Sequence, residues 1–198
     1  MKNSIFDIGN VLLSFQPEKF LLKYYDYSTM GDLLTIIFAS DEWIQLDLGN
    51  MMIDDVKKAL TLKHSHYYNE INFVLDHWTE MLSPIQKNVD IVYKLKEQGY
   101  SLYLLSNFHK EAIGDMFNKY DFFQEFDGYV ISAFEHVIKP EPNIYKILLN
   151  KYNLNPKECL FIDDMWGNVC AGEQLGIQGL HLAYGIDLQE SLKTIGIL

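Results

Sequence analysis

Ile5-Phe6-Asp7-Ile8-Gly9-Asn10-Val11-Leu12-Leu13 sets an apolar run against turn chemistry and then a second apolar run. A strand ending in a tight loop is the economical reading, because Gly and Asn supply the backbone conformations that a sharp turn needs. Asp7 then stands at the strand's carboxyl end. Working outward, Leu102–Leu105 is closed by Ser106-Asn107 and Leu160–Ile162 by Asp163-Asp164, while Tyr129–Ile131 and Gly179–Ala183 are further short runs. Helical spacing fills the intervals. Ile85, Val89, Val92 and Leu95 share one face before a stop at Gly99, a helix runs from about Ile113 to Tyr120, and Ile144, Ile147 and Leu148 follow a helix start at Pro140. Short apolar strands spaced by helices predict βαβ units. The expected fold is α/β, a three-layer doubly wound parallel sheet of about five strands, buried on both faces.

From Pro17 to about Leu82 the character changes to helical spacing, with Phe20, Tyr24, Val56 and Leu60 as markers. This predicts a helical insertion over residues 15–83 between two parts of one core domain, residues 1–14 and 84–198. Trp43, Tyr67, Tyr68, Phe73 and Trp78 give the insertion enough bulk for a small core of its own.

The chain has 198 residues, 48% hydrophobic and 14% aromatic, which suits one globular core with a lid and excludes disorder. A formal net charge of -11 with no basic cluster argues against nucleic acid as a partner. Cys159 and Cys170 do not form a disulfide framework, since Cys159 lies in the apolar run Cys159-Leu160-Phe161-Ile162; a reducing cytoplasm fits best. No stretch is long and apolar enough for a membrane span or a signal peptide, so no membrane partner is expected.

In an open parallel sheet, ligands bind beyond the carboxyl ends of the strands. Asp7, Ser106-Asn107 and Asp163-Asp164 all lie there, with Lys139-Pro140 between the third and fourth strands. A lysine at a helix amino end is poorly placed unless an anion is near, because the macrodipole is positive there. Each feature alone has an ordinary explanation in turn chemistry; together they do not.

Phe6-Asp7-Ile8-Gly9-Asn10-Val11-Leu12, Leu105-Ser106-Asn107, Lys139-Pro140 and Ile162-Asp163-Asp164 with Asn168 resemble, in order, the four signature motifs of the haloacid dehalogenase superfamily. The helical stretch sits where that family inserts a helical cap, and the overall pattern resembles its sugar-phosphate phosphatase and epoxide hydrolase N-terminal phosphatase-like branch. The resemblance implies a magnesium-dependent phosphatase in which Asp7 attacks phosphorus and forms an aspartyl phosphate. Asp7, Asp164 and the backbone carbonyl of Gly9 would hold Mg2+, with Asp163 and Asn168 supporting that shell. Ser106 would bind a phosphoryl oxygen, Asn107 would share that work through its backbone amide, and Lys139 would offset negative charge. Small phosphorylated metabolites, sugar phosphates among them, are the implied substrates, because a cap excludes bulky partners.

One position departs from the family's phosphatase pattern. The aspartate that usually follows the nucleophile by two residues, and protonates the leaving alcohol, is Gly9 here. Without it, charge on the departing oxygen falls on the leaving group itself, unless a metal-bound water or an acidic cap residue such as Asp41, Glu42 or Asp47 takes over. Two alternatives follow from the same residues: a metal-independent 2-haloacid dehalogenase, and a catalytically weak binding or regulatory module. The pair Asp163-Asp164 disfavours the first, being a liability beside a carboxylate substrate without a cation. His64 and His66 lack a third ligand and receive no role. The cap aromatics read as core, Trp43 being the best candidate to face a pocket.

Overall fold

Asn3–Phe6 is a strand because its apolar side chains are buried on both faces at once, Ile5 toward one and Phe6 toward the other. The computed structural model describes residues 2–198. After this strand, β1, the Asp7–Asn10 loop leads to β2 (Leu13–Phe15). The chain then turns helical, through α1 (Pro17–Leu21), α2 (Tyr27–Leu33), a wider π-helical turn at Leu34–Phe38, α3 (Asp41–Asp47), α4 (Ile53–Lys63) and α5 (Tyr68–His77). It returns as β3 (Leu82–Pro84), antiparallel to β2, so both ends of the helical segment pass through one two-stranded ribbon.

Beyond the ribbon come α6 (Gln86–Glu97), β4 (Ser101–Ser106), α7 (Lys110–Lys119), β5 (Gly128–Ile131), α8 (Ser132–Glu135) and α9 (Pro142–Lys151). They are followed by β6 (Cys159–Asp163), α10 (Trp166–Glu173), β7 (Gln178–His181) and α11 (Leu188–Thr194). The main sheet has the order β5-β4-β1-β6-β7, and all its pairings are parallel. This is the three-layer doubly wound sheet that the sequence predicts. Alternation along the strands feeds two cores: Tyr103, Leu105, Val130 and Phe161 pack with Ile144, Tyr145 and Leu148 of α9, while Phe6, Leu104 and Ile162 pack on the opposite face. Among the described residues, no helix is long and apolar enough to cross a membrane.

Two expectations need correction. The helical segment does not build a separate core, because its buried Leu33, Ile37, Leu46, Val56, Leu60 and Ile71 are continuous with the Phe6 face of the sheet. A segment this short gains more by sharing apolar surface with the sheet than by enclosing its own. The helix expected from Pro140 begins instead at Pro142, with Glu141 as its N-cap, so Lys139 lies in the preceding loop.

Candidate active site

Parallel strands deliver their carboxyl ends to one edge of the sheet, and there the loops after β1, β4 and β6 meet. Asp7 follows β1, its amide donating to Ile162 O at 2.9 Å; Ser106 ends β4 and Asp163 ends β6. Carboxylate oxygens of Asp7, Asp163 and Asp164 all lie within 4.8 Å of one another, the one such group of possible metal ligands among the described residues. His64 and His66 are not in it.

Lys139 joins this cluster from the loop before α9. Its Nζ stands 2.8 Å from Asp7 Oδ1 and 2.6 Å from Asp163 Oδ2, with the whole side chain buried. The nearby anion that the lysine requires is therefore a pair of carboxylates. Asn107 fixes the loop, its Oδ1 accepting from Lys139 N at 2.8 Å and its Nδ2 donating to Lys139 O at 3.1 Å. The side chain of Asn107 thus positions Lys139.

Asp163 is saturated. Its oxygens accept from Met165 N at 2.8 Å, Asn168 Nδ2 at 3.0 and 3.2 Å, and Lys139. Asp164 is the more open acid, and Asn10 Nδ2 donates to its Oδ2 at 3.0 Å. Asn10 adopts φ 53°, a left-handed conformation that Asn tolerates better than most residues, and its Oδ1 also accepts from Phe15 N at 3.0 Å. In sequence, the one signal for this role of Asn10 is an Asn directly after a loop glycine.

The charges do not balance. Burial pushes the Asp7 carboxyl well above the usual carboxylate range, partly opposed by Lys139, and burial likewise raises Asp164. Burial works against the Lys139 charge too, but Asp7 and Asp163 outweigh it and hold the ammonium above an ordinary lysine. Three carboxylates face one cation. Hard oxygen donors carrying surplus negative charge are what a divalent cation requires, so these residues fit magnesium.

A cavity of about 250 Å3 opens beside the cluster. Asp7, Gly9, Asn10, Asn107 and Asp164 form its polar end; Phe15, Trp43, Trp78, Leu82 and Phe108 form its walls. Trp43 and Trp78 meet edge to face at 5.3 Å and belong to the shared core as well as to the cavity. Asp47 and His109 also line it, and of the acids Asp41, Glu42 and Asp47 only Asp47 does so. Asp41 is exposed and Glu42 is paired with Lys63. His109 is a cavity residue that the sequence pattern does not single out.

The chain matches the haloacid dehalogenase-like hydrolases over residues 1–176. It is 31% identical to a sesquiterpene phosphatase of Aspergillus oryzae, across 91% of this chain and 89% of that protein. It is 23% identical to a D-ribitol-5-phosphate phosphatase of Bacteroides thetaiotaomicron, across 98% of both chains. Among solved structures, a haloacid dehalogenase family enzyme of B. thetaiotaomicron in complex with magnesium and inorganic phosphate superposes with a TM-score of 0.76 at 21% identity, covering 96% of this chain and 98% of that one. The match spans most of the sequence, and the chain belongs to the haloacid dehalogenase-like hydrolase family.

Proposed function

We propose that this hydrolase is a magnesium-dependent phosphatase acting on small organic phosphate monoesters through an aspartyl phosphate on Asp7, with the helical segment 15–83 as a cap over residues 1–14 and 84–198. The observation that carries this reading is the set Asp7, Asp163, Asp164 and Lys139, all buried but the more open Asp164, beside an aromatic-walled cavity. The two phosphatase relatives agree with it. Asp7, with its carboxyl open to the cavity, is the nucleophile. Lys139 holds that carboxyl in place and offsets charge on the phosphoryl oxygens, while Ser106 and the Asn107 amide bind those oxygens. Asp7, Asp164 and the Gly9 carbonyl would hold a divalent ion, which would supply the remaining neutralisation that lets one anion approach another. Asp163 and Asn168 keep Lys139 and the Asp164 loop in register.

The walls narrow the substrate class. Sugar phosphates suit the size of the cavity, but Phe15, Trp43, Trp78, Leu82 and Phe108 offer few partners for hydroxyl groups. An ester with an apolar face on its organic part gains more from such walls, and the relative of highest identity reported above is a sesquiterpene phosphatase. Both cysteines are free, in keeping with a reducing cytoplasm as the place of work.

The test is a phosphate-release screen over sugar, aryl and prenyl phosphates, with magnesium or with chelator, on wild type and Asp7→Asn. Turnover that needs magnesium and disappears in a folded Asp7→Asn protein is the expected result. Halide release from a 2-haloacid under chelation, without ester hydrolysis, assigns the site to dehalogenation instead. A folded wild type with neither activity leaves the binding module as the surviving reading.

A further inference from the structure

The phosphatase reading leaves the leaving group without a proton donor, since Gly9 stands where a side-chain acid would. A Cβ at Gly9 meets nothing within 4 Å, so the position is open space rather than filled by a neighbour. The acid that does face the cavity comes from the other side. Asp47 is the last residue of α3, its side chain is 20% exposed, and it lines the same cavity as Asp7. A carboxylate in the last turn of a helix opposes the macrodipole, so helix stability does not account for it.

The backbone holding Asp47 is docked on the core. The next carbonyl, Leu48 O, lies 2.9 Å from His136 Nδ1. Gly49 follows at φ 68° and lies so close to the core that an added Cβ would stand 2.1 Å from Ala133 O. Ile53 N donates to Glu111 at 2.9 Å farther along. Asp47 is therefore placed by contacts between cap and core, and among the described residues no lysine pairs with its carboxyl.

The groups facing it are His109 from the loop before α7, Asp7 from the end of β1 and Lys139 from the loop before α9, with Asp164 across the same cavity. His109 Nε2 is 3.4 Å from Asp47 Oδ1, long for a hydrogen bond. Burial pushes His109 down to about 3, so at neutral pH it brings no charge to Asp47. Burial pushes the Asp47 carboxyl up to about 7, Lys139 lowering it and Asp7 raising it.

We propose that Asp47 is the leaving-group acid and hydrolytic base of this enzyme, supplied by the cap in place of a side chain at position 9. This rests on the phosphatase reading. In the first step an Asp7 oxygen bonds to phosphorus, the phosphorus–alkoxide bond breaks, and the departing oxygen takes its electron pair together with the proton of Asp47. In the second, the Asp47 carboxylate removes one proton from water as its oxygen bonds to phosphorus. The bond to Asp7 then breaks, releasing hydrogen phosphate and returning both side chains to their starting states. Because the acid resides on the cap, it meets the substrate only when cap and core are docked as seen here.

The experiment compares Asp47→Asn, Asp41→Asn and wild type on 4-nitrophenyl phosphate and benzyl phosphate with magnesium present, folding being checked by circular dichroism. Benzyl alcohol is much the poorer leaving group. Asp47→Asn is expected to lose about 10²-fold or more in kcat/KM on benzyl phosphate, less than about tenfold on 4-nitrophenyl phosphate, and to accumulate acid-trapped phosphoenzyme. Asp41→Asn is expected to match wild type. Equal losses on both esters, or none on either, overturn the assignment to Asp47 while wild-type turnover and an inactive Asp7→Asn protein keep the phosphatase reading intact. Failure of wild type to hydrolyse any ester, or turnover by Asp7→Asn, overturns the phosphatase reading and this inference with it.

Discussion

Lys139 Nζ lies 2.8 Å from Asp7 Oδ1, a buried ion pair between a loop lysine and the residue that follows β1. Removing one partner of such a pair leaves an uncompensated charge, which costs about 3–5 kcal/mol. Lys139→Met is therefore expected to abolish phosphate release and to lower unfolding stability by about that amount. Denaturant titration checks the second part. A Lys139→Met protein as stable as wild type would show that the three acids do not need this cation.

Asn10 donates to Asp164 from a left-handed backbone. Asn10→Gly keeps the conformation and deletes both side-chain hydrogen bonds, to Asp164 and from Phe15 N, separating the backbone contribution from that of the side chain. The magnesium concentration for half-maximal activity is expected to rise about 10- to 100-fold, the usual range for partners of a metal ligand. Magnesium titration of the ester assay reads it directly; an unchanged midpoint assigns Asn10 to the loop alone.

Asp47 is an acid whose folded-state pKa, about 7, lies above its ordinary 3.8. The folded protein then binds the extra proton, so this group's stabilisation is complete below about pH 4 and is lost as pH rises toward 7. Metal-free wild type should therefore lose stability relative to Asp47→Asn between pH 5 and pH 8. Paired denaturation curves at the two pH values test the sign. A constant difference would mean that Asp47 titrates normally.

Trp43 packs on Trp78, on Phe15 and on His109, with ring centroids 5.3, 6.5 and 4.4 Å away. Trp43→Leu keeps an apolar side chain while opening the wall. KM for aryl and prenyl phosphates should rise several-fold with kcat little changed, as for loss of binding shared by ground and transition states. An equal rise for a sugar phosphate would remove the preference argued from the apolar walls.

A Cβ at Gly9 meets no neighbour, and Gly9 lines the cavity, so Gly9→Asp extends its side chain from an open position. Placed in the Asp47→Asn background, the new carboxyl is expected to recover at least tenfold of the kcat/KM lost on benzyl phosphate. Recovery on 4-nitrophenyl phosphate should be small. Uniform changes on both esters would point to an altered loop rather than a restored acid.

The sequence by itself determined the parallel sheet and the places where its chemistry resides. Apolar runs such as Leu102–Leu105 and Leu160–Ile162 are local, and Ser106-Asn107 and Asp163-Asp164 close them with turn chemistry that one chain displays directly. Lys139 was legible as part of the site, but its partners and its position ahead of α9 were not, because Asp7 and Asp163 approach it from distant points in the chain. The clamp of Asn107 on Lys139 and the support of Asp164 by Asn10 are likewise contacts that only folding creates. The same holds for the shared core, since the periodicity of the helical segment says that one face is buried but not against what. Asp47 is the clearest case. In sequence it is one of three acids on a short helix, and only the folded structure, with Leu48 held by His136 and Gly49 against Ala133, shows that it and not Asp41 or Glu42 lines the cavity.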